Sequence, residues 1–265
     1  MTGGLLDLPS FVKYFPQIDT TSTTKYTAAQ ISSHSTNQGI AVASYNLGCF
    51  FGAILTIFVG NPLGRRRTIF IGSIIMTIGA LLQCTSYSLA QLIVGRLVTG
   101  LGNGMNTSTV PTWQSETAQS HKRGPLVMIE GMLITAGICL SYWIDYGFAW
   151  IGHSEVAWRF PLAFQILFAV IIFSTIMNLP ESPRWLVMQG KEYEAMEVLS
   201  YINDKPREDP QLINELESVK AAVAEMSKGS FKSLFERSQH REFHRVCLAY
   251  VCQVFQQISG KSSSP

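Results

Sequence analysis

The fold is decided by residues 39–67, which read GIAVASYNLGCFFGAILTIFVGNPLGRRR. From position 39 to position 64 this stretch contains no charged residue, and it is longer than the ~18 apolar residues that mark a bilayer-crossing helix. Three consecutive arginines follow directly. Because short loops rich in Lys and Arg stay cytoplasmic, this pattern predicts a membrane helix that ends at the cytoplasmic surface.

Three more stretches, at positions 68–95, 97–115 and 160–180, also lack charged residues. Of the 265 residues, 47% are hydrophobic and only 14% are charged, and the mean hydropathy is +0.19. These values are unusual for a soluble domain of this length. The sequence therefore predicts an all-α, multi-pass membrane protein with spans at roughly 39–60, 68–87, 90–112, 125–147 and 157–179.

The loops between the predicted spans differ in charge. The loop at 65–67 is all arginine, and Lys122 and Arg123 follow the third span. The turn at 84–90 is uncharged, and the connection at 146–156 carries only Glu155. The two basic loops are therefore predicted to be cytoplasmic and the other two to be outside.

The rest of the chain divides by composition. Residues 1–38 hold a short apolar segment and then a stretch rich in Ser, Thr and Asn, which predicts an outer loop. Residues 39–180 form the predicted bundle. Residues 181–244 are charged with apolar positions at helical spacing, which indicates a cytoplasmic helical linker that packs against the bundle. Residues 245–265 begin like a further span, but their apolar stretch ends at 258.

Two ionisable residues fall inside predicted spans. Arg96 separates two uncharged stretches, and an intramembrane charge by default marks a substrate or ion path. The alternative is an arginine that extends to the outer surface. Glu130 lies about two turns into the fourth span, where it is a coupling candidate or a partner of Lys122 or Arg123.

The sequence gives no sign of an enzyme. It contains no Ser/His/Asp set, no zinc-ligand spacing and no phosphate loop, and the glycines at 100, 102 and 104 follow no strand. The five cysteines lie in or beside apolar stretches without paired spacing. We therefore expect no cofactor, no metal and no nucleic-acid partner.

Five motifs together resemble the sugar porters of the major facilitator superfamily, and in particular the fungal hexose and glycerol proton symporters. The loop at 60–67, GNPLGRRR, resembles the family's cytoplasmic signature between helices 2 and 3, with Asn61 at its usual acidic position. PESPRWL at 180–186 resembles the motif after helix 6, and QQISG at 256–260 resembles the start of the helix 7 sugar motif. The other two are Gly95-Arg96 with Gly100, Gly102 and Gly104, and Pro111, Trp113, Glu116 and Arg123-Gly124.

The resemblance implies twelve helices in two halves, with a hexose or polyol bound between them and alternating access by rocking of the halves. The five spans then correspond to helices 2–6, residues 1–38 begin with the end of helix 1, and residues 245–265 are a truncated start of helix 7. It also implies proton coupling and a plasma-membrane location. Its implied cytoplasmic gating network consists of Arg65, Arg66, Glu116, Arg123, Glu181 and Arg184.

The resemblance also names substrate ligands and shows departures. Gln253, Gln256 and Gln257 correspond to the family's sugar-hydroxyl ligands, since amides both donate and accept hydrogen bonds. Gly131 stands where the family often has a sugar-binding glutamine. The helix 1 carboxylate that usually pairs with Arg96 would lie upstream of Met1, so Arg96 is expected to lack its counter-charge.

Three hypotheses follow from the sequence. The first is a proton-coupled sugar or polyol symporter, of which this chain alone is expected to be inactive. The second is a transport-dead sensor or partner subunit derived from the same fold. The third concerns the sequence itself, since 261–265 resembles translated intron and both ends are expected to be gene-model truncations.

Overall fold

The computed structural model describes residues 9–19, 27–119, 122–150, 154–227, 244, 247–252 and 254–255. Within these ranges, helices are the only regular secondary structure. This confirms the predicted all-α class. In chain order the helices are α1 Pro9–Tyr14, α2 Ala28–Leu63, α3 Arg65–Cys84, α4 Leu89–Thr117, α5 Arg123–Ala149, α6 Val156–Ile176, α7 Pro183–Met188, α8 Glu192–Asn203 and α9 Pro210–Ser227, with a 3-10 turn at Pro16–Ile18 after α1.

Within the described ranges, four helices are long and apolar enough to cross a membrane: α2, α3, α5 and α6. The fifth predicted span, α4, forms a helix at the predicted place but does not meet the same apolar criterion. Its sequence is rich in Gly, Thr, Ser and Asn. Its main neighbours are α2 and α3, and a helix packed on two sides needs less apolar surface than a helix facing lipid.

Helix α2 begins at Ala28, well before the predicted start at position 39. At this end, the Gln30 side-chain oxygen accepts a hydrogen bond from the backbone N–H of Thr27 at 3.0 Å. Such a cap satisfies a backbone group that the helix itself leaves unpaired. The Ser, Thr and Asn residues predicted to form a loop therefore continue α2 as a polar helical extension.

Four glycines allow the backbones of α2 and α4 to pack closely. A Cβ atom on Gly48 or Gly52 would lie 2.3 or 2.2 Å from backbone oxygens of α4. A Cβ on Gly100 or Gly104 would likewise lie 2.3 or 2.2 Å from backbone oxygens of α2. Real Cβ contacts are never this short, so the two backbones approach each other only because these positions lack side chains.

Polar side chains join α3 to α4 inside the bundle. The Gln83 amide donates to the Thr99 hydroxyl at 2.5 Å, and the Asn106 amide donates to the Ser73 hydroxyl at 3.2 Å. All four side chains are buried. These bonds satisfy polar groups that would otherwise be costly in a membrane interior.

The described helices divide into two compact units, Met1–Arg207 and Glu208–Pro265. In the first unit, the short helices α7 and α8 pack on each other, and the Gln119 amide donates to the carbonyl of Ile202 at the end of α8 at 3.2 Å. This contact places α8 beside the end of α4. The second unit contains α9, whose Leu212 and Leu216 are buried.

Candidate functional site

The predicted cytoplasmic end of the bundle contains a nearly buried ion pair. Arg65, the first residue of α3, donates from Nε and Nη2 to the two carboxylate oxygens of Glu116 near the end of α4, at 3.0 and 3.1 Å. The Arg65 and Glu116 side chains are only 12% and 9% exposed. This two-bond geometry between Arg and a carboxylate is the strongest kind of side-chain ion pair.

A second carboxylate caps the start of α3. Glu181 accepts hydrogen bonds from the backbone N–H groups of Arg65 and Arg66, each at 3.2 Å, and from that of Ser182 at 3.0 Å. The unpaired N–H groups at a helix N-terminus and the helix dipole both favour a negative charge there. Glu181 therefore ties the segment after α6 to the start of α3.

The turn between α2 and α3 leaves room for the Glu181 carboxylate. Gly64 has φ = +87°, a backbone conformation that residues with a Cβ rarely adopt. A Cβ at this position would also lie 3.0 Å from a Glu181 oxygen and 3.1 Å from the Trp185 ring. Glycine is therefore needed here both for the turn and for the close approach of the PESPRWL segment.

Two tryptophans hold the same segments together. The Trp185 indole donates to the backbone carbonyl of Asn61 at 2.7 Å, and the Trp113 indole donates to that of Pro180 at 3.2 Å. Ser182 is fully buried, and its hydroxyl accepts from the backbone N–H of Trp185 at 3.3 Å, which caps α7. The α2–α3 link, the end of α4 and the α6–α7 segment thus form one connected cluster.

The structure places the six predicted gating residues as follows. It brings Arg65, Glu116 and Glu181 together, and the Arg66 guanidinium donates to the carbonyl of Met177 at the end of α6. Arg184 lies half-buried in α7. Arg123 begins α5, but its side chain is outside the described residues.

Arg96 is buried at the interior of the bundle with 6% of its surface exposed. Within the described part of the chain, its Nε is buried and has no hydrogen-bond partner. Tyr45 on α2 interacts electrostatically with Arg96. A buried charge without a counter-charge is costly, and the helix 1 partner of Arg96 stays a prediction.

The candidate residues on α5 face a different environment. Glu130 is half-buried. Gly131 is exposed with open space around its Cβ position, and it lines an open groove of about 490 Å³. The Thr135 hydroxyl in this groove already donates to the Gly131 carbonyl at 3.0 Å. The groove is otherwise lined by Val127, Met128, Met132, Ala136 and Cys139.

The remaining predicted ligands cannot be placed. Gln253, Gln256 and Gln257 lie outside the described residues. Among the side chains that are described, no group of three His, Cys, Asp or Glu residues is arranged to hold a metal ion.

Comparison with known proteins identifies the family. The profile of the sugar (and other) transporter family matches residues 1–264. The chain belongs to this family. Its motifs and helical bundle are those of a sugar porter of the major facilitator superfamily.

Fungal members of the sugar (and other) transporter family are similar to the chain. It is 45% identical over 222 residues to the MFS-type transporter oryC of Aspergillus oryzae, which covers 82% of this chain and 41% of the relative. It is 40% identical over 229 residues to the sugar transporter STL1 of Saccharomyces cerevisiae, covering 84% and 40%. It is also 34% identical over 245 residues to the high glucose sensor RGT2 of the same yeast, covering 89% and 32%. The chain thus spans less than half the length of these relatives.

Solved structures share the fold. The proton:xylose symporter XylE bound to 6-bromo-6-deoxy-D-glucose matches with a TM-score of 0.71 at 23% identity, covering 88% of this chain and 53% of XylE. A partially occluded inward-open form of XylE from E. coli matches with a TM-score of 0.69 at 23% identity, covering 84% and 57%. At this level of identity the likeness concerns the fold, which is an incomplete major facilitator bundle.

Two groups of residues in the structure have no counterpart in the sequence analysis. One is the pair of indole hydrogen bonds of Trp113 and Trp185, whose partners the motifs do not predict. The other is a set of rings around Arg159 at the predicted outer end, formed by residues far apart in sequence. No local pattern in the sequence signals either group.

Proposed function

We propose that this chain forms part of a carrier that moves a hexose or polyol across the plasma membrane by alternating access, coupled to protons. The observation that carries the proposal is the closed charge cluster of Arg65, Glu116 and Glu181 in a member of the sugar transporter family. The relatives named as sugar transporters, and the fold shared with a proton:xylose symporter, support the substrate class and the coupling ion.

The charge cluster has the properties of a contact that breaks and re-forms during transport. It links three segments at one face through an ion pair, a helix cap and indole hydrogen bonds. A desolvated ion pair costs several kcal/mol if only one partner is removed, but little if both partners become hydrated together. We therefore assign it to the state closed toward the cytoplasm, and Arg66, Arg123 and Arg184 to the same network.

We assign the substrate-binding and proton-coupling roles from the positions that match the family's motifs. Gln253, Gln256 and Gln257 are assigned to the substrate hydroxyls, and Gly131 to the wall facing them. Arg96 and Glu130 are assigned to proton coupling, because ionisable side chains inside a membrane protein are costly unless they serve such a path. No catalytic role is assigned, since a carrier changes the location of its substrate and breaks no bond.

The test is uptake of labelled hexose, xylose and glycerol by the gene product at its natural length, expressed in cells that lack endogenous hexose uptake. We expect saturable uptake that an added protonophore abolishes. A variant with Arg96→Gln is expected to lose proton-driven accumulation. The Arg67→Gln variant, which changes an exposed arginine at the predicted cytoplasmic face, serves as the matched charge control.

The same cells test the chain of 265 residues by itself. We expect no uptake, because the chain spans less than half the length of its relatives and the substrate is assigned between two halves. Proton-driven uptake by the 265-residue chain in vesicles would contradict this part of the proposal.

A second candidate is a transport-dead glucose sensor, favoured by the 34% identity to the high glucose sensor RGT2. A sensor would bind a hexose without moving it. Full expression at the plasma membrane, hexose binding and absent uptake of every tested sugar and polyol would favour the sensor over the carrier.

A further inference from the structure

The guanidinium of Arg159, near the start of α6, lies among three aromatic rings. Its Cζ is 4.9 Å from the ring centroid of Tyr87, 4.9 Å from that of Trp158 and 5.6 Å from that of Tyr14. All three distances are within the range at which a cation is attracted to the face of a ring. Arg159 therefore occupies an aromatic cage at the predicted outer end of the bundle.

A carboxylate completes the cage. Glu155, the residue just before α6, lies one turn before Arg159, with 3.5 Å between a guanidinium nitrogen and a carboxylate oxygen. The Tyr14 hydroxyl also donates to Glu155. Arg159 and Glu155 thus join α1, through Tyr14, to α6 and to the α3–α4 turn, through Tyr87.

An aromatic core lies beneath the cage. Trp158 is fully buried, and its ring meets those of Phe11 and Phe15 edge to face, with centroids 5.6 and 5.7 Å apart. The same core includes Leu92 of α4, which is 3% exposed. Residues of α1, α4 and α6 therefore share one hydrophobic core.

Leu92 links this core to Arg96 along α4. Leu92 and Arg96 are four residues apart on α4, so their side chains share one face of the helix. Leu92 is packed in the core, and Arg96, one turn further from the predicted outer end, is 6% exposed. The core therefore lies on the predicted outer side of Arg96 along this face.

We propose that Arg159 is a latch. It holds the outer plug, by which we mean α1 and the aromatic core beneath the cage, over the outer side of Arg96, and the plug excludes external water from Arg96. The inference rests on the proposed coupling role of Arg96. Arg159 acts through Tyr14, Trp158 and Leu92, and it is a positioning residue.

The chemistry of the cage suits a latch that opens at times. Arg159 and Glu155 are 24% and 51% exposed, so their ion pair is weak and screened by salt. Partly exposed cation–π contacts are individually weak as well. When the plug opens, Arg159 loses its ion pair and its cation–π contacts and becomes hydrated. The hydrophobic core beneath it favours closing of the plug.

The native Cys84 reports whether the plug is open, because it is partly buried and packs against the same core at the end of α3. In a variant that keeps only this cysteine, we measure its rate of labelling by a membrane-impermeant maleimide added outside. Arg159→Ala is expected to raise the rate about tenfold, the effect of losing a few weak cation–π contacts. The four other cysteines, replaced by serine, are Cys49, Cys139, Cys247 and Cys252.

Chemical rescue separates a latch from a general structural role. External methylguanidinium can enter the emptied cage of Arg159→Ala and is expected to slow Cys84 labelling again, whereas sodium chloride at the same concentration controls for ionic strength. Arg159→Lys keeps a cation in the cage and is expected to label close to the unmodified rate. Lys13→Ala, which removes an exposed charge from α1, is the matched control and is expected to have no effect.

Two results would overturn the latch. One is unchanged Cys84 labelling in Arg159→Ala, and the other is equal acceleration in Lys13→Ala. If Arg159→Ala fails to fold, Tyr87→Ala decides, because it removes one exposed wall of the cage and should also speed labelling. Labelling of Cys84 requires no transport. A failed uptake assay would therefore count against the proposed carrier function, whereas the labelling rates would still test the latch.

Discussion

Replacement of Glu116 by glutamine tests the charge cluster in energetic terms. Glu116 receives two hydrogen bonds from Arg65, at 3.0 and 3.1 Å, and both side chains are about nine-tenths buried. Removal of one partner from a buried pair costs roughly 3–5 kcal/mol, because the other charge remains desolvated. Glutamine can still accept one bond from the guanidinium, so we expect a loss of about 3 kcal/mol, at the low end of that range.

The assay is denaturant unfolding of the purified protein in detergent micelles, with Arg67→Gln as a control at the exposed neighbouring arginine. The control should change the free energy of unfolding by less than about 0.5 kcal/mol. The double variant Arg65→Gln/Glu116→Gln should recover at least about 1 kcal/mol relative to the sum of the single losses. A loss below about 0.5 kcal/mol for Glu116→Gln, or simple additivity in the double variant, would refute the assigned pairing.

Three further predictions address other parts of the fold. Gly104→Ala places a Cβ 2.2 Å from the Cys49 carbonyl, so it should lower the melting temperature in detergent, and an unchanged melting temperature would contradict the close α2–α4 contact. Gly64→Ala forces a side chain into φ = +87° and should lower the unfolding free energy by about 1–3 kcal/mol in denaturant titrations, where a neutral effect would argue against the tight turn. The hydrogen bond to Glu155 raises the pKa of Tyr14 above its ordinary value of 10.0. The stabilisation from this contact is therefore present below pH 10.0 and is lost as the pH rises through the raised pKa. The tyrosinate absorbance that disappears in Tyr14→Phe should titrate above 10.0.

The sequence predicted the membrane helices well because their signal is local. An uncharged apolar run must lie in lipid, and its backbone must then be helical. The direction of the spans stays a prediction from the arginine-rich loops. Helix α4 lies where the sequence predicted it, although its glycines and hydroxyls fall short of the apolar criterion, and it packs between α2 and α3. The prediction missed the start of α2 at Ala28, where polar residues extend the helix.

The candidate site was predictable in part. The resemblance grouped Arg65, Glu116 and Glu181, and the structure brings them into contact. It did not predict that Glu181 would bind backbone N–H groups at the start of α3, since this geometry depends on the turn at Gly64. The cage of Arg159 was missed entirely, because rings from distant parts of the chain meet only in the folded bundle.

The most direct test of the central claim is a reversible cross-link across the charge cluster. Cysteines are placed at positions 65 and 116 of the gene product at its natural length, in which every other cysteine is replaced. A cleavable bis-methanethiosulfonate reagent then joins them. If this face must open during each cycle, cross-linking stops sugar or polyol uptake and a reductant restores it. Uptake at the same rate before and after cross-linking would contradict the claim.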